Sequence, residues 1–111
     1  MNIDNVNGNQ IKISQEVLAS ISRFAAEEVD GVKSVYSPGI ASKIPSGGIS
    51  ITIVDDVVFV DIYIIILMGY NVVSVSSSLQ ENIKNAIQSM TGLAVSEVNV
   101  IVSGVSGSQS E

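Results

Sequence analysis

With no histidine and no cysteine in the chain, nucleophile activation would have to be built from serine, lysine and carboxylates. A hydroxyl nucleophile needs a base beside it. Lys43, in a serine-containing loop, is the candidate partner for a Ser–Lys pair. That chemistry requires a buried lysine that gives up its proton, whereas a loop of this composition leaves the amine in water. Asp55, Asp56 and Asp61 form the carboxylate cluster of the strand region, and hard cations prefer such oxygen ligands. Asp55 and Asp56, however, fall where a turn is expected, and there Asp hydrogen-bonds its own backbone. Asp61 alternates onto a strand face where a charge opposes aggregation. Glu27, Glu28 and Asp30 form an acidic patch at a helix end whose dipole does not favour them, and they read as a solvated face. Ser46-Gly47-Gly48 has the composition of a phosphate cradle, but such loops follow a strand and open a helix; here the glycines precede a strand. The expectation is a protein that is not an enzyme, with no catalytic, cofactor-binding or metal-binding residue.

Composition narrows the partners. The chain of 111 residues fits one domain, and at 46% hydrophobic and 14% charged it is too apolar to be disordered. The net charge is −6, and the five basic residues, Lys12, Arg23, Lys33, Lys43 and Lys84, are scattered. Nucleic acid binding rests on clustered Lys and Arg, so no nucleic-acid partner is expected. Adsorption to an anionic bilayer is disfavoured for the same reason. The longest apolar run, Ile62 to Gly69, is far short of the roughly 18–20 residues of a spanning helix. The first residues lack the basic-then-apolar order of a secretory leader. Direct membrane insertion is therefore not expected, and a place at a membrane would call for a protein anchor.

The elements follow from periodicity. Residues 1–10 read as a flexible arm, 11–105 as a single domain and 106–111 as a flexible tail. The Ser/Gly-rich composition extends the expected mobility back to Ser103. Ile11-Lys12-Ile13 alternates and predicts a short strand. Ser14 caps a helix whose apolar stripe is Val17, Leu18, Ile21, Phe24, Ala25 and Val29, with Gly31 just past its end. Val32 to Tyr36 predicts a second short strand, and 37–48, with both prolines, a loop. Ile49 to Val54 alternates strictly, Asp55-Asp56 follows, and Val57 to Met68 is rich in β-branched residues. That is a hairpin. Opposing Val54 with Val57 puts Ile53 against Val58, Ile51 against Val60 and Ile49 against Ile62, all on one face. A slip of one residue would mix the faces. Asn71 caps a second helix with stripe Val72, Val75, Leu79, Ile83, Ala86, Ile87 and Met90, stopped by Thr91-Gly92. Val95 to Val102 alternates once more, with Val98, Val100 and Val102 inward and Asn99 and Ile101 outward. The fold class is α+β: a two-layer α/β sandwich, a mixed β-sheet with two helices packed on one face. Strand order is not legible.

One pattern is left over. Phe59, Tyr63, Ile65 and Leu67 make an apolar row on the hairpin face turned away from the helices, and Ile101 extends it if its strand lies beside them. Exposed apolar patches mark interaction sites, so these five residues are the expected interaction surface, for self-association or a partner.

Three segments also carry a resemblance. The first is Glu16-Val17-Leu18-Ala19-Ser20-Ile21 with Ala25-Ala26-Glu27-Glu28-Val29-Asp30-Gly31-Val32. The second is Met68-Gly69-Tyr70, then Leu79-Gln80-Glu81-Asn82-Ile83, then Met90-Thr91-Gly92-Leu93. The third is Val98-Asn99-Val100-Ile101-Val102. In this order and spacing, from about Ile11 to Val105, the chain resembles the alkaline shock protein family of Gram-positive bacteria, linked to general stress and the cell envelope. Val72 to Ser78 departs from the family, being rich in Val and Ser where Pro and acidic residues are usual. The resemblance implies a non-enzymatic cytoplasmic protein of envelope stress response or homeostasis. It would act as a scaffold or interaction module by self-association and through a membrane-anchored partner that holds it near the membrane. It brings no catalytic residues and no cofactor. The competing readings are a small-molecule-binding regulatory domain using the 37–48 loop and, against the charge, an RNA-binding module.

Overall fold

The structure, a computed structural model, describes residues 12–36 and 46–107. Its elements in order are α1 (Gln15–Glu27), β1 (Val32–Val35), a short 3-10 turn (Ser46–Gly48), β2 (Ile49–Val54), β3 (Val57–Leu67), α2 (Val72–Thr91) and β4 (Ala94–Ser106). The expected two-layer α+β architecture is present, with four strands in one mixed sheet.

β3 organises the sheet. It pairs antiparallel with β2 in the register Ile49 to Ile62, Ile51 to Val60, Ile53 to Val58 and Val54 to Val57, as the alternation requires. Asp55 and Asp56 both have positive φ (52° and 65°), the signature of a type I′ turn whose twist matches the strands it joins. β4 runs parallel to β3 from Val57 to Leu67, and α2 supplies the crossover that a parallel pair needs. One whole edge of β3 is thereby occupied. β1, antiparallel to Ile64–Ile66, must share the other edge with β2, the two lying end to end. The backbone N–H of Tyr36 donates to the Tyr63 carbonyl at 2.7 Å, so β1 hands over to β2 near Ile62–Tyr63.

Both helices cover one face. Val58, Val60, Ile62, Ile64 and Ile66 of β3 are fully buried there, packed with Leu18, Ile21, Ala25 and Ala26 of α1 and Val75, Leu79, Ile83 and Ile87 of α2. Burial of each large aliphatic side chain contributes about 1.5–3 kcal/mol. The helices are also tied by polar contacts: Asn82 Nδ2 donates to the Ala25 carbonyl at 2.6 Å. Ser14 and Asn71 cap α1 and α2 by accepting from Val17 N–H and Ser74 N–H.

Several expectations are corrected. Lys12 and Ile13 are not in a strand; Ile13 packs against the core as the lead-in to α1, and Ile11 lies outside the described residues. Two alternating residues carry too little periodicity to distinguish a strand from a tethered lead-in. Val17 and Phe24 point off the core, Phe24 being 70% exposed, because Leu18, Ser22, Ala25 and Ala26 fill the contact stripe about a third of a turn away. Val72 and Met90, at the two ends of α2, are exposed. Ser103 to Ser106, expected to be mobile, continue β4, with Ser103 in a bulge and Gly104 to Ser106 paired with Ile65–Leu67. The expected arm at 1–10 and loop residues 37–45, including Lys43, lie outside the described residues.

Candidate interaction surface

The face of the sheet without helices carries the residues singled out from the sequence. Phe59, Tyr63, Ile65 and Leu67 lie on it at alternate positions of β3, and all four are half-buried. The parallel pairing sets Ile101 directly opposite Tyr63. Thus the five residues share one surface, with Val57 and the exposed Val54 at the hairpin end.

The row is bordered by small and polar groups. Phe59 is flanked by Thr52 and Glu97, and Ile65 by Ser34 and Gly104. Gly104 leaves the space that Ile65 occupies, since a Cβ there would sit 3.1 Å from Ile65 Cδ1. At the centre, Asn99 Nδ2 donates to Asp61 Oδ1 at 2.8 Å. This pair divides the row into a Val57–Phe59 part and a larger Tyr63–Ile65–Leu67–Ile101 part. The alternation puts both Asp61 and Asn99 outward, but nothing in the sequence brings these two distant positions side by side.

Among the described residues the groups with catalytic residue types do not assemble. Among the described residues no three His, Cys, Asp or Glu side chains are grouped so as to hold a metal ion. Asp55 and Asp56 are the turn residues. The glycines at 47 and 48 are accounted for by packing. Gly47 has φ of +80° and a Cβ on it would stand 3.0 Å from Arg23 Nη2, which donates to its carbonyl, and a side chain on Gly48 would run into the Tyr36 carbonyl. Glu28 and Asp30 border a shallow groove of about 460 Å³ between the end of α1 and α2, with Ser78, Glu81, Asn82 and Asn85 opposite. A second open groove, about 710 Å³, runs between α2 and β4 past Ser77, Gln80, Lys84, Ser96 and Asn99. No described helix is long and apolar enough to cross a membrane.

Comparison with known proteins agrees with this architecture. The C-terminal domain MamM-CTD, in a single-residue variant, superposes with a TM-score of 0.54 at 16% identity, over 82% of this chain and 98% of that one. At that identity the likeness is one of fold. Closer in sequence are two proteins of Bacillus subtilis, both described as uncharacterized. YqhY is 31% identical over 103 residues, covering 86% of this chain and 76% of the relative. YloU is 30% identical over 105 residues, covering 86% and 88%. Residues 3–107 match the profile of a single family, so the chain belongs to the alkaline shock protein 23 family, whose function is related to the cell envelope.

Proposed function

We propose that this protein is a non-enzymatic scaffold of envelope stress response or homeostasis, acting near the cytoplasmic face of the membrane by self-association and through a membrane-anchored partner. The observation that carries the reading is the apolar row of Phe59, Tyr63, Ile65, Leu67 and Ile101 on a sheet face that no described helix covers. A two-layer domain normally presents polar residues on that face, and an apolar strip there, larger on the Tyr63–Ile65–Leu67–Ile101 side of the Asp61–Asn99 pair, favours contact with another protein. The family's envelope-related function supports the location. The net charge of −6 argues for a protein anchor over adsorption to anionic lipid.

The test is absolute mass by light scattering over a concentration series, for the wild type and for Tyr63→Ala/Leu67→Ala. Concentration-dependent assembly that the double variant loses supports the scaffold. A wild type that is monomeric throughout, and a face that captures no envelope protein, overturn it.

A small-molecule-binding regulatory domain is the competing reading, and the open groove between α2 and β4 is its nearest structural support. A thermal-shift screen with metals and metabolites separates the two. A ligand that binds the native state raises the melting temperature by mass action, whereas a scaffold does not respond.

A further inference from the structure

β4 is an edge strand of 13 residues, and along its length the two halves of its outer side differ. The first half is closed by α2: Gln80 Nε2 donates to the Val98 carbonyl at 3.1 Å, and Val95 N–H donates to Gln88 Oε1 at 3.3 Å. The same half carries the strand's one charge, Glu97. From Asn99 to Val105 there is no charge and no proline, and among the described residues no strand pairs with the side turned away from β3. Natural edge strands are usually blunted by charge, proline, a bulge or cover; past Asn99 β4 keeps only the bulge at Ser103. The alternation set by Val98 turns the backbone N–H and C=O of Val100 and Val102 outward.

The surroundings match. Residues 62–80 and 98–110 contain no ionisable acid or base other than the two tyrosines. The second half of β4 and the parts of β3 and α2 beside it are therefore without formal charge, and the charges at this end of the molecule, Glu28, Asp30 and Lys33, belong to the exit of α1 and to β1, on the other side of β3. Val73, one turn before Ser77 and two before Gln80 on the helix side that faces the β4 groove, is 73% exposed. Val105 and Met68, at the same end, are exposed as well.

We infer that the open half of β4 is a docking edge for a second copy of this chain, pairing antiparallel with its own counterpart across a two-fold axis. Such an edge is self-complementary, each outward N–H meeting a carbonyl of the other copy. Charge selects the occupant and the register. Two copies of a chain carrying −6 repel except where neither bears charge. A register centred near Val102 and Ser103 keeps the two Glu97 carboxylates at opposite ends of the paired segment. Val73 of each copy would then be covered by the other. The inference shares with the scaffold reading the premise that the chain self-associates, but it uses the sheet edge, not the open face.

The experiment follows mass by light scattering and backbone amide exchange by NMR together, over a concentration series. The proteins are the wild type, Ser103→Asp at the edge and Tyr63→Ala/Leu67→Ala on the face, with folding of each checked by circular dichroism. The expected result is a wild-type dimer in which Val100 and Val102 amides become protected as it forms. Ser103→Asp, which sets two carboxylates near the axis, should raise its dissociation constant about tenfold or more while staying folded. Should Ser103→Asp not fold, Val73→Asp, on the exposed helix surface, makes the same test. Association lost only in the face variant, with Val100 and Val102 exchanging freely in the wild-type assembly, overturns the edge and leaves the face reading standing. Protection of those amides in a protein that remains monomeric overturns it too, by placing another segment of the chain on the edge. A monomer with freely exchanging amides overturns self-association by either route.

Discussion

Gly31 and Tyr70 meet so closely that only a hydrogen fits between backbone and ring: a Cβ on Gly31 would stand 2.7 Å from Tyr70 Cδ2 and 2.8 Å from Val75 Cγ2. Gly31 also has φ of +99° and accepts from the Leu67 N–H at 2.8 Å, joining the exit of α1 to the end of β3. Gly31→Ala therefore combines left-handed strain with a clash. A loss of about 2–4 kcal/mol is expected, read as a fall in the urea midpoint with an unchanged slope. A loss under about 0.5 kcal/mol would mean that Tyr70 swings away freely.

Asn82→Ala removes the side chain that holds the Ala25 carbonyl across the helix pair. The expected cost is about 1–2 kcal/mol, since a part-buried carbonyl loses its partner. Chemical denaturation measures it, and Asn82→Asp, which cannot donate, should cost at least as much.

Leu79→Ala and Phe24→Ala test which helix faces are structural. Leu79 is fully buried among β3 and α1 residues, and its truncation should cost about 2–5 kcal/mol. Phe24→Ala should stay within about 0.5 kcal/mol of wild type, although both positions belong to an apolar stripe by sequence. Equal losses at the two sites would show that Phe24 is covered in the folded protein.

Asp61→Leu would join the two parts of the apolar row that Asp61 and Asn99 divide. Increased association by sedimentation velocity is expected, with the melting temperature little changed. Unaltered mass would show that the row is not where copies meet.

The hairpin was the most legible part of the chain, because strict alternation admits one register; Ile49 opposite Ile62 follows from pattern alone. The caps at Ser14 and Asn71 were legible for a similar local reason. The face residues Phe59, Tyr63, Ile65 and Leu67 could be grouped because they share one strand. Ile101 could join them only once β4 was placed beside β3, a pairing that depends on a crossover of some twenty helical residues. Phe24 shows the limit of periodicity: a stripe fixes a helix, but small residues such as Ser22 and Ala26 can own its buried face. Ser22 is buried because its hydroxyl donates to the Leu18 carbonyl at 2.8 Å. The bulges that skip Ser96 and Ser103 in β4 left no trace in composition, and they explain why its inward valines do not keep a strict period of two.

Because β4 follows the other described elements in chain order and occupies a full side of β3, the sheet cannot be completed while the chain is still being synthesised up to Ala94. Until then the buried face of β3 has only part of its cover and one entire edge is open. Such a nascent chain is the kind of aggregation-prone species that chaperones shield. Folding of this domain is thus tied to late emergence of one valine-rich segment with a single charge, Glu97, and a ribosome stalled before it holds a chain whose central strand lacks one whole side.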